Sequence, residues 1–390
     1  MNGERLTVKK AAIVSCFGWY DKRLYFLYDK LEDSNYIVKY YTSDYTHGGK
    51  GRREELDDRF TYIHVPTYKK NISFRRFYSH YIFAKKTSIE LNKEKPDLVY
   101  VLTPPNMVAK IAAQYKKKNP NTKLVIDIID MWPESFPNTL IRKTPIYSIW
   151  KGFRNKSLII ADKIVLECDY YRECIDGVLI DKCSTVRLQK KCSYSDIDDS
   201  RAVIDSLKNS IPSKRISLCY LGNANNIIDL ESIQRIFSAL KSEGYSVILH
   251  FIGRGSSKQA LLDIANENCS EVYDYGVIYD EHEKRRVMNM CDFGINMMKS
   301  TVEVGLTLKS IDYLSCGLPL LNNIKGDTWD LIIKNKIGLN YQGDSQGLIR
   351  DINACASYEL KNNALNCYQE MFSPEAFENN FSNVIADVLN

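Results

Sequence analysis

In the stretch LTLKSIDYLSCGLPLL, residues 306–321, a lysine and an aspartate stand three residues apart just inside a helix start. Thr307 is a suitable N-cap, Gly317 a usual C-terminal stop, and Pro319 opens a buried strand. Leu308, Ile311, Leu314 and Ser315 fall on one face, expected to pack on a sheet. Lys309 and Asp312 share a different face at the helix N-terminus. A helix start offers free N–H groups and a positive dipole, so a lysine added there suits a nucleotide diphosphate. Asp312, one turn on, is placed to accept hydrogen bonds from vicinal ribose hydroxyls, as acids do in dinucleotide-binding folds. Spacing alone equally allows a solvated Lys–Asp pair. Gly222, followed by Asn223 in LGNANN (221–226), and Gly253, followed by Arg254 in IGRGS (252–256), each end an apolar run. A tight turn there lets backbone approach a phosphate or sugar, although either glycine alone reads as a plain turn.

A second informative stretch is LVIDIIDMWPES at 124–135. A buried strand runs into Asp130, and Trp132, Pro133 and Glu134 stop it at a sheet's C-terminal edge, where α/β folds bind ligands. Asp130, Trp132 and Glu134 are therefore candidate ligand contacts. The plainer alternative is an aspartate capping a turn with Trp132 as core. Gly18 and Trp19, in SCFGWY after the first apolar run, are further candidates. With one glycine, that loop is a weak phosphate cradle.

The 306–321 text resembles the SK-x-x-EY-x-A-x-GKPV signature of a retaining group of GT-B glycosyltransferases (family 4-like), in which the lysine meets the diphosphate and the acid the ribose. Lys309 and Asp312 match, with Tyr313, Gly317 and Pro319 in register. Aspartate for glutamate is a departure, and the Arg and Lys common after the first strand of that domain are absent here. Lys309, helped by Arg254, would then carry the diphosphate charge. The resemblance places backbone around Val277 against the base and Glu303 against the donor sugar, the latter one residue out of register. The 124–135 text resembles the RDLWPES motif in the acceptor domain of the same group, often those building bacterial surface or capsular polysaccharide. That implies that Asp130 orients an acceptor hydroxyl or supports departing charge, and that Trp132 and Glu134 meet the acceptor. Relatives hold a glycine-rich loop where Gly18 and Trp19 stand, next to the diphosphate and acceptor. Thr103-Pro-Pro-Asn106 resembles a family loop near the cleft.

The resemblance implies transfer with retention from a nucleotide sugar, expected to be a UDP-sugar, to a saccharide or polyprenyl-diphosphate-linked acceptor. No cofactor and no metal are expected, since a helix end and Lys309 would neutralise the leaving diphosphate. Rival readings are a nucleotide-sugar epimerase, a degenerate transferase acting as a scaffold, and a binding protein that performs no chemistry.

These residues need a frame. Short β-branched or aromatic runs at 11–16, 36–41, 61–65, 98–102, 124–129 and 164–166 alternate with helical patterns at 22–31, 74–92, 107–117 and 147–161. After a serine-bearing acidic stretch, 193–200, read as part of a linker at 191–214, the alternation restarts. Strands are expected at 216–221, 247–252, 272–275, 293–297 and 318–322, and helices at 229–240, 258–265, 281–290, 308–314, 329–334, 361–371 and 374–389. This is α/β text of the GT-B type: two doubly wound, Rossmann-like domains with a cleft between them. The expected boundaries are 1–190 for an acceptor domain and 215–372 for a nucleotide-sugar domain, with 373–390 packing back on the first.

Composition excludes other classes. At 390 residues, 44% hydrophobic and 26% charged, the chain is ordinary globular protein of about two domains. Eleven scattered cysteines without a C-x-x-C read as reduced thiols, and no apolar run reads as a membrane span. The expected location is cytoplasmic, at the inner face of the membrane. Residues 1–190 hold 34 Lys+Arg against 22 Asp+Glu, a balance of +12, which leaves −7 for the rest of the net +5. A basic first half implies an anionic surface or substrate, and no nucleic-acid motif accompanies it. The segment FRRFYSHYIFAKK, 74–86, is expected to place Phe74, Phe77, Tyr78 and Tyr81 in an aromatic stripe. Such a stripe reads either as ordinary core or, flanked by Arg75, Arg76, Lys85 and Lys86, as a face that would lie on anionic lipid.

Overall fold

The computed structural model describes residues 8–18, 21–46, 51–53, 57–70, 73–135, 141–207 and 214–389. The strands are β1 (Lys9–Ser15), β2 (Tyr36–Ser43), β3 (Tyr45–Thr46), β4 (Gly51–Arg52), β5 (Phe60–Ile63), β6 (Leu98–Thr103), β7 (Lys123–Ile128), β8 (Lys163–Leu166), β9 (Cys183–Thr185), β10 (Arg215–Asn223), β11 (Ser246–Arg254), β12 (Glu271–Asp274), β13 (Phe293–Asn296), β14 (Leu320–Asn322) and β15 (Gly338–Asn340). The helices are α1 (Asp21–Asp33), α2 (Phe74–Glu94), α3 (Asn106–Lys118), α4 (Pro145–Ile160), α5 (Tyr194–Ser206), α6 (Leu230–Ser242), α7 (Lys258–Asn268), α8 (Glu281–Asn289), α9 (Leu308–Ser315), α10 (Asp327–Asn335), α11 (Ser345–Ala354), α12 (Ser357–Met371) and α13 (Pro374–Leu389).

The chain divides into two compact units. The first comprises Met1–Glu167, Tyr171–Val186 and Glu378–Asn390, and the second Cys168–Tyr170 and Arg187–Phe377. In the first unit a parallel sheet runs β5-β2-β1-β6-β7-β8-β9. In the second the order is β12-β11-β10-β13-β14-β15, again parallel throughout. Central strands are buried along nearly their whole length, which is why they read as continuous apolar runs rather than alternating ones. Helices complete the layers. In α6, Ile233, Ile236, Phe237 and Leu240 form the buried i, i+3, i+4, i+7 stripe, and Asp229 caps Ser232 N at 3.1 Å. In each sheet the order reverses next to the first strand, β1 or β10, and the crevice beyond those strand ends is where such folds take ligands.

Three expectations change. The segment 191–214, read as a linker, holds α5, opened by a full capping box between Ser193 and Asp196. Asp196 and Asp198 therefore lie in helix. Leu308, expected against the sheet, is 62% exposed. The inward face of α9 is Ser310, Ile311, Tyr313, Leu314 and Ser315, and at 100° per residue Leu308 turns with Lys309 and Asp312 to the other side. In the aromatic stripe, Arg76 is buried and Phe77 packs edge-on against Trp150 at 4.4 Å, so only Phe74, Tyr78 and Tyr81 face outward. The cause is the helix period: Arg76, Ser79, His80 and Phe83 take the inward positions of α2.

Candidate functional site

In the second unit, α9 is held so that its N-terminus opens at the carboxyl ends of β10 and β13. Thr307 is its N-cap, accepting from Ser310 N at 3.2 Å while donating to Asn296 Oδ1 at 3.2 Å, the last residue of β13. Tyr313 anchors the other side. Its hydroxyl accepts from Leu221 N at 2.7 Å and donates to Cys219 O at 3.0 Å, both on β10. The ring crosses β13 where only glycine fits: a Cβ on Gly294 would lie 2.5 Å from it.

The strand ends beside α9 carry the expected donor residues. Gly222 has φ +108, with open space where a side chain would be, and Gly253, at φ +149, sits so close that a Cβ would meet Gly222 O at 1.9 Å. Asn223 and Arg254 pair in register at the ends of β10 and β11, and both are exposed. Val277 follows β12 in an exposed loop tied back by Gly253 N to Gly276 O at 2.6 Å.

Lys309 stands in the first turn of α9. It is half-buried, its Nζ lies 4.9 Å from the centroid of the Tyr220 ring, and it has no acceptor or carboxylate partner among the described residues. Burial pushes its pKa down to about 8. The Lys–Asp pair that spacing allowed is not formed. Asp312 is instead bonded by Lys190, which also donates to Glu281 Oε2 at 2.8 Å. Glu303, before α9, accepts from the Tyr170 hydroxyl. Tyr170 is itself clamped, with Asp327 accepting from Asp169 N at 2.9 Å and Tyr170 N at 2.7 Å. Lys190, Tyr170 and Asp327 carry no motif and escape sequence reasoning. Their roles come from contacts across more than 120 residues of chain.

In the first unit, Asp130 follows β7, and its Oδ2 accepts the Trp132 indole N–H at 2.7 Å. Burial raises its pKa, against hydrogen bonds from Ser135 and Trp132 and the Arg76 charge. Arg76 lies 4.5 Å from the Trp132 ring, and His80 and Phe17 pack against the same indole. An Arg and a His four apart within an aromatic helix were the available signal for this cluster. Glu134, expected at the acceptor, gives both oxygens to Arg154 at 2.7 and 2.8 Å, with Lys151 at 3.1 Å. Burial alone would raise its pKa, but Arg154 outweighs that and holds it low. Gly18 follows β1 at intermediate burial, and Trp19 lies outside the described residues.

No family model matches the chain, and no curated protein matches it in sequence. Solved structures do match in shape over the whole length. Sucrose-phosphate synthase from Thermosynechococcus elongatus superposes with TM-score 0.64 at 14% identity, covering 98% of this chain and 99% of that one. HepE of Anabaena, in complex with UDP-glucose, gives 0.60 at 14% identity over 97% and 99%. The lipopolysaccharide outer core galactosyltransferase WaaB gives 0.61 at 16% identity over 97% and 99%. The fold is GT-B. Both units are the Rossmann-like halves of that fold, and its solved examples here are glycosyltransferases. Among the described residues, no helix is long and apolar enough to cross a membrane.

Proposed function

We propose that this GT-B protein is a glycosyltransferase using a nucleotide sugar, a UDP-sugar in the first instance. The observation that carries the reading is Lys309: a half-buried ammonium with no counter-ion among the described residues, at a capped helix start beside an open glycine turn. A buried cation is costly unless paired, and a diphosphate supplies the missing anion. Asp312 would accept from the ribose, Gly222, Asn223 and Arg254 would border the phosphates, Val277 the base, and Glu303 the sugar. Transfer proceeds with retention and without metal, the leaving diphosphate oxygen taking the acceptor hydroxyl proton as the new glycosidic bond forms. Asp130, with Trp132 and Gly18, orients a saccharide or polyprenyl-diphosphate-linked acceptor in surface polysaccharide synthesis, with the first unit resting on anionic lipid. The HepE complex with UDP-glucose supports the donor class, on fold alone.

The test is a thermal-shift screen against UDP-, GDP- and dTDP-sugars, followed by calorimetry with the free diphosphates. Lys309→Ala should cost roughly 1.5–3 kcal/mol of nucleotide affinity, the worth of a charge-assisted hydrogen bond. Asp130→Asn should bind nucleotide normally and turn over slowly. Unchanged diphosphate binding by Lys309→Ala would remove the reading.

A further inference from the structure

Asp312 does not face solvent alone. The Lys190 ammonium contacts its Oδ1 and also reaches Glu281, the first residue of α8. The root of Lys190 is fixed by α12 and the residue after it: Lys190 N donates to Phe372 O at 3.0 Å, and Lys190 O accepts from the Tyr368 hydroxyl at 2.7 Å. Its side chain is 17% exposed. Burial, which alone would lower its pKa, is overcome by Asp312 and Glu281, and the net shift is upward. The lysine therefore stays charged.

Proton counting leaves a matched pair of unused groups. A lysine ammonium has three N–H donors, and two are taken by Asp312 and Glu281. The third has no acceptor among the described residues, and Asp312 Oδ2 has no donor there. One free donor beside one free acceptor is what a vicinal diol requires, since each hydroxyl both gives and takes a hydrogen bond. A bare carboxylate near a diphosphate would also repel it; Lys190 offsets that charge, while Lys284 pairs with Glu281, so two cations face two carboxylates.

We propose that Lys190 and Asp312 act together as the ribose-reading element of the donor site, so that Lys190 selects ribonucleotides. The proposal rests on the donor-site reading above. Its test uses calorimetry of the wild type, Lys190→Met and Lys190→Arg with UDP and GDP and their 2′-deoxy and 3′-deoxy forms. Wild type should bind each deoxy form about tenfold more weakly than its parent, the value of one hydrogen bond to a charged group. Lys190→Met should bind the parent about tenfold more weakly and discriminate the deoxy forms by less than about twofold, and Lys190→Arg should restore discrimination. Should Lys190→Met unfold, Lys190→Ala, which also lacks a side-chain donor, is read in the same way. A wild-type ribo/deoxy ratio in the lysine-free variant overturns the inference, whatever the overall affinity. If wild type binds neither UDP nor GDP, the donor-site reading falls and this inference with it. An unchanged ratio on top of normal binding removes this inference alone.

Discussion

At the scale of residues, the proposed chemistry turns on Lys309, whose ammonium has no acceptor or carboxylate partner among the described residues. Lys309 titrates at about 8 because burial penalises its cation and no carboxylate offsets it. A bound diphosphate favours the protonated form and raises that value, so binding takes up a proton above pH 8. The sign follows: affinity is complete below about pH 8 and falls by roughly tenfold per unit as pH rises toward the bound-state value. Above pH 7 the terminal phosphate is already largely ionised, with its second pKa near 6, and adds little of its own. Calorimetry of UDP from pH 7 to 9.5 should show this decline in wild type, and Lys309→Arg, always charged, should flatten it. A flat wild-type profile would mean that the ammonium does not meet the phosphates. Lys309 was legible from its place inside a helix start. Its isolation was not, because the alternative partner Asp312 lies within reach in sequence and is drawn away only by Lys190, 122 residues distant.

At the scale of elements, α9 matters because it is bolted to the strands at two points. Thr307 ties its first turn to β13, and Tyr313 ties its middle to β10 through a buried hydroxyl. Tyr313→Phe leaves Leu221 N without its acceptor, costing about 1–3 kcal/mol of stability. Gly294→Ala drives a methyl into the same ring and should cost a similar amount by overpacking. Both variants, followed by urea unfolding and UDP affinity, should lose stability and nucleotide binding together. Loss of stability with intact binding would show that α9 orientation is not what positions Lys309. Most elements were legible because buried parallel strands leave unbroken apolar runs, as in β10 and β11, between clear helical stripes. The failures have causes. The α5 text is acidic and weakly apolar, so its capping box at Ser193 and Asp196 was the sole start signal. Strands β9 and β15, three residues each, are too short to show a period, and α11, preceded by Gly343 and carrying Gly347 in its first turn, reads as turn text. Arg76 read as a surface charge because arginine usually is one, yet it lies under Trp132.

At the scale of the whole molecule, the proposed contact of the first unit with anionic lipid draws on the +12 balance of residues 1–190, and the exposed face of α2 is where it would occur. Phe74, 90% exposed, stands with Tyr78 and Tyr81 on the outer face of α2, beside exposed Arg75, Lys85 and Lys86. Helix α4, joined to α2 through Phe77 and Trp150, adds exposed Ile146 and Ile149. Large apolar groups set among cations suit the headgroup boundary of anionic lipid, where each basic residue contributes about 1 kcal/mol. Arg76 is excluded from the count by its burial, so the informative variant is Arg75/Lys85/Lys86→Ser, with Phe74→Ser made separately. Co-sedimentation with anionic vesicles should fall in both. In the charge variant the remaining binding should no longer weaken with salt, because the screened charges are gone. In Phe74→Ser the salt dependence should persist on a weaker baseline, since only the inserted ring is lost. Neutral vesicles should bind wild type poorly. If wild type and both variants sediment equally with either lipid at low and high salt, this face is not a lipid surface and the acceptor must be sought in solution.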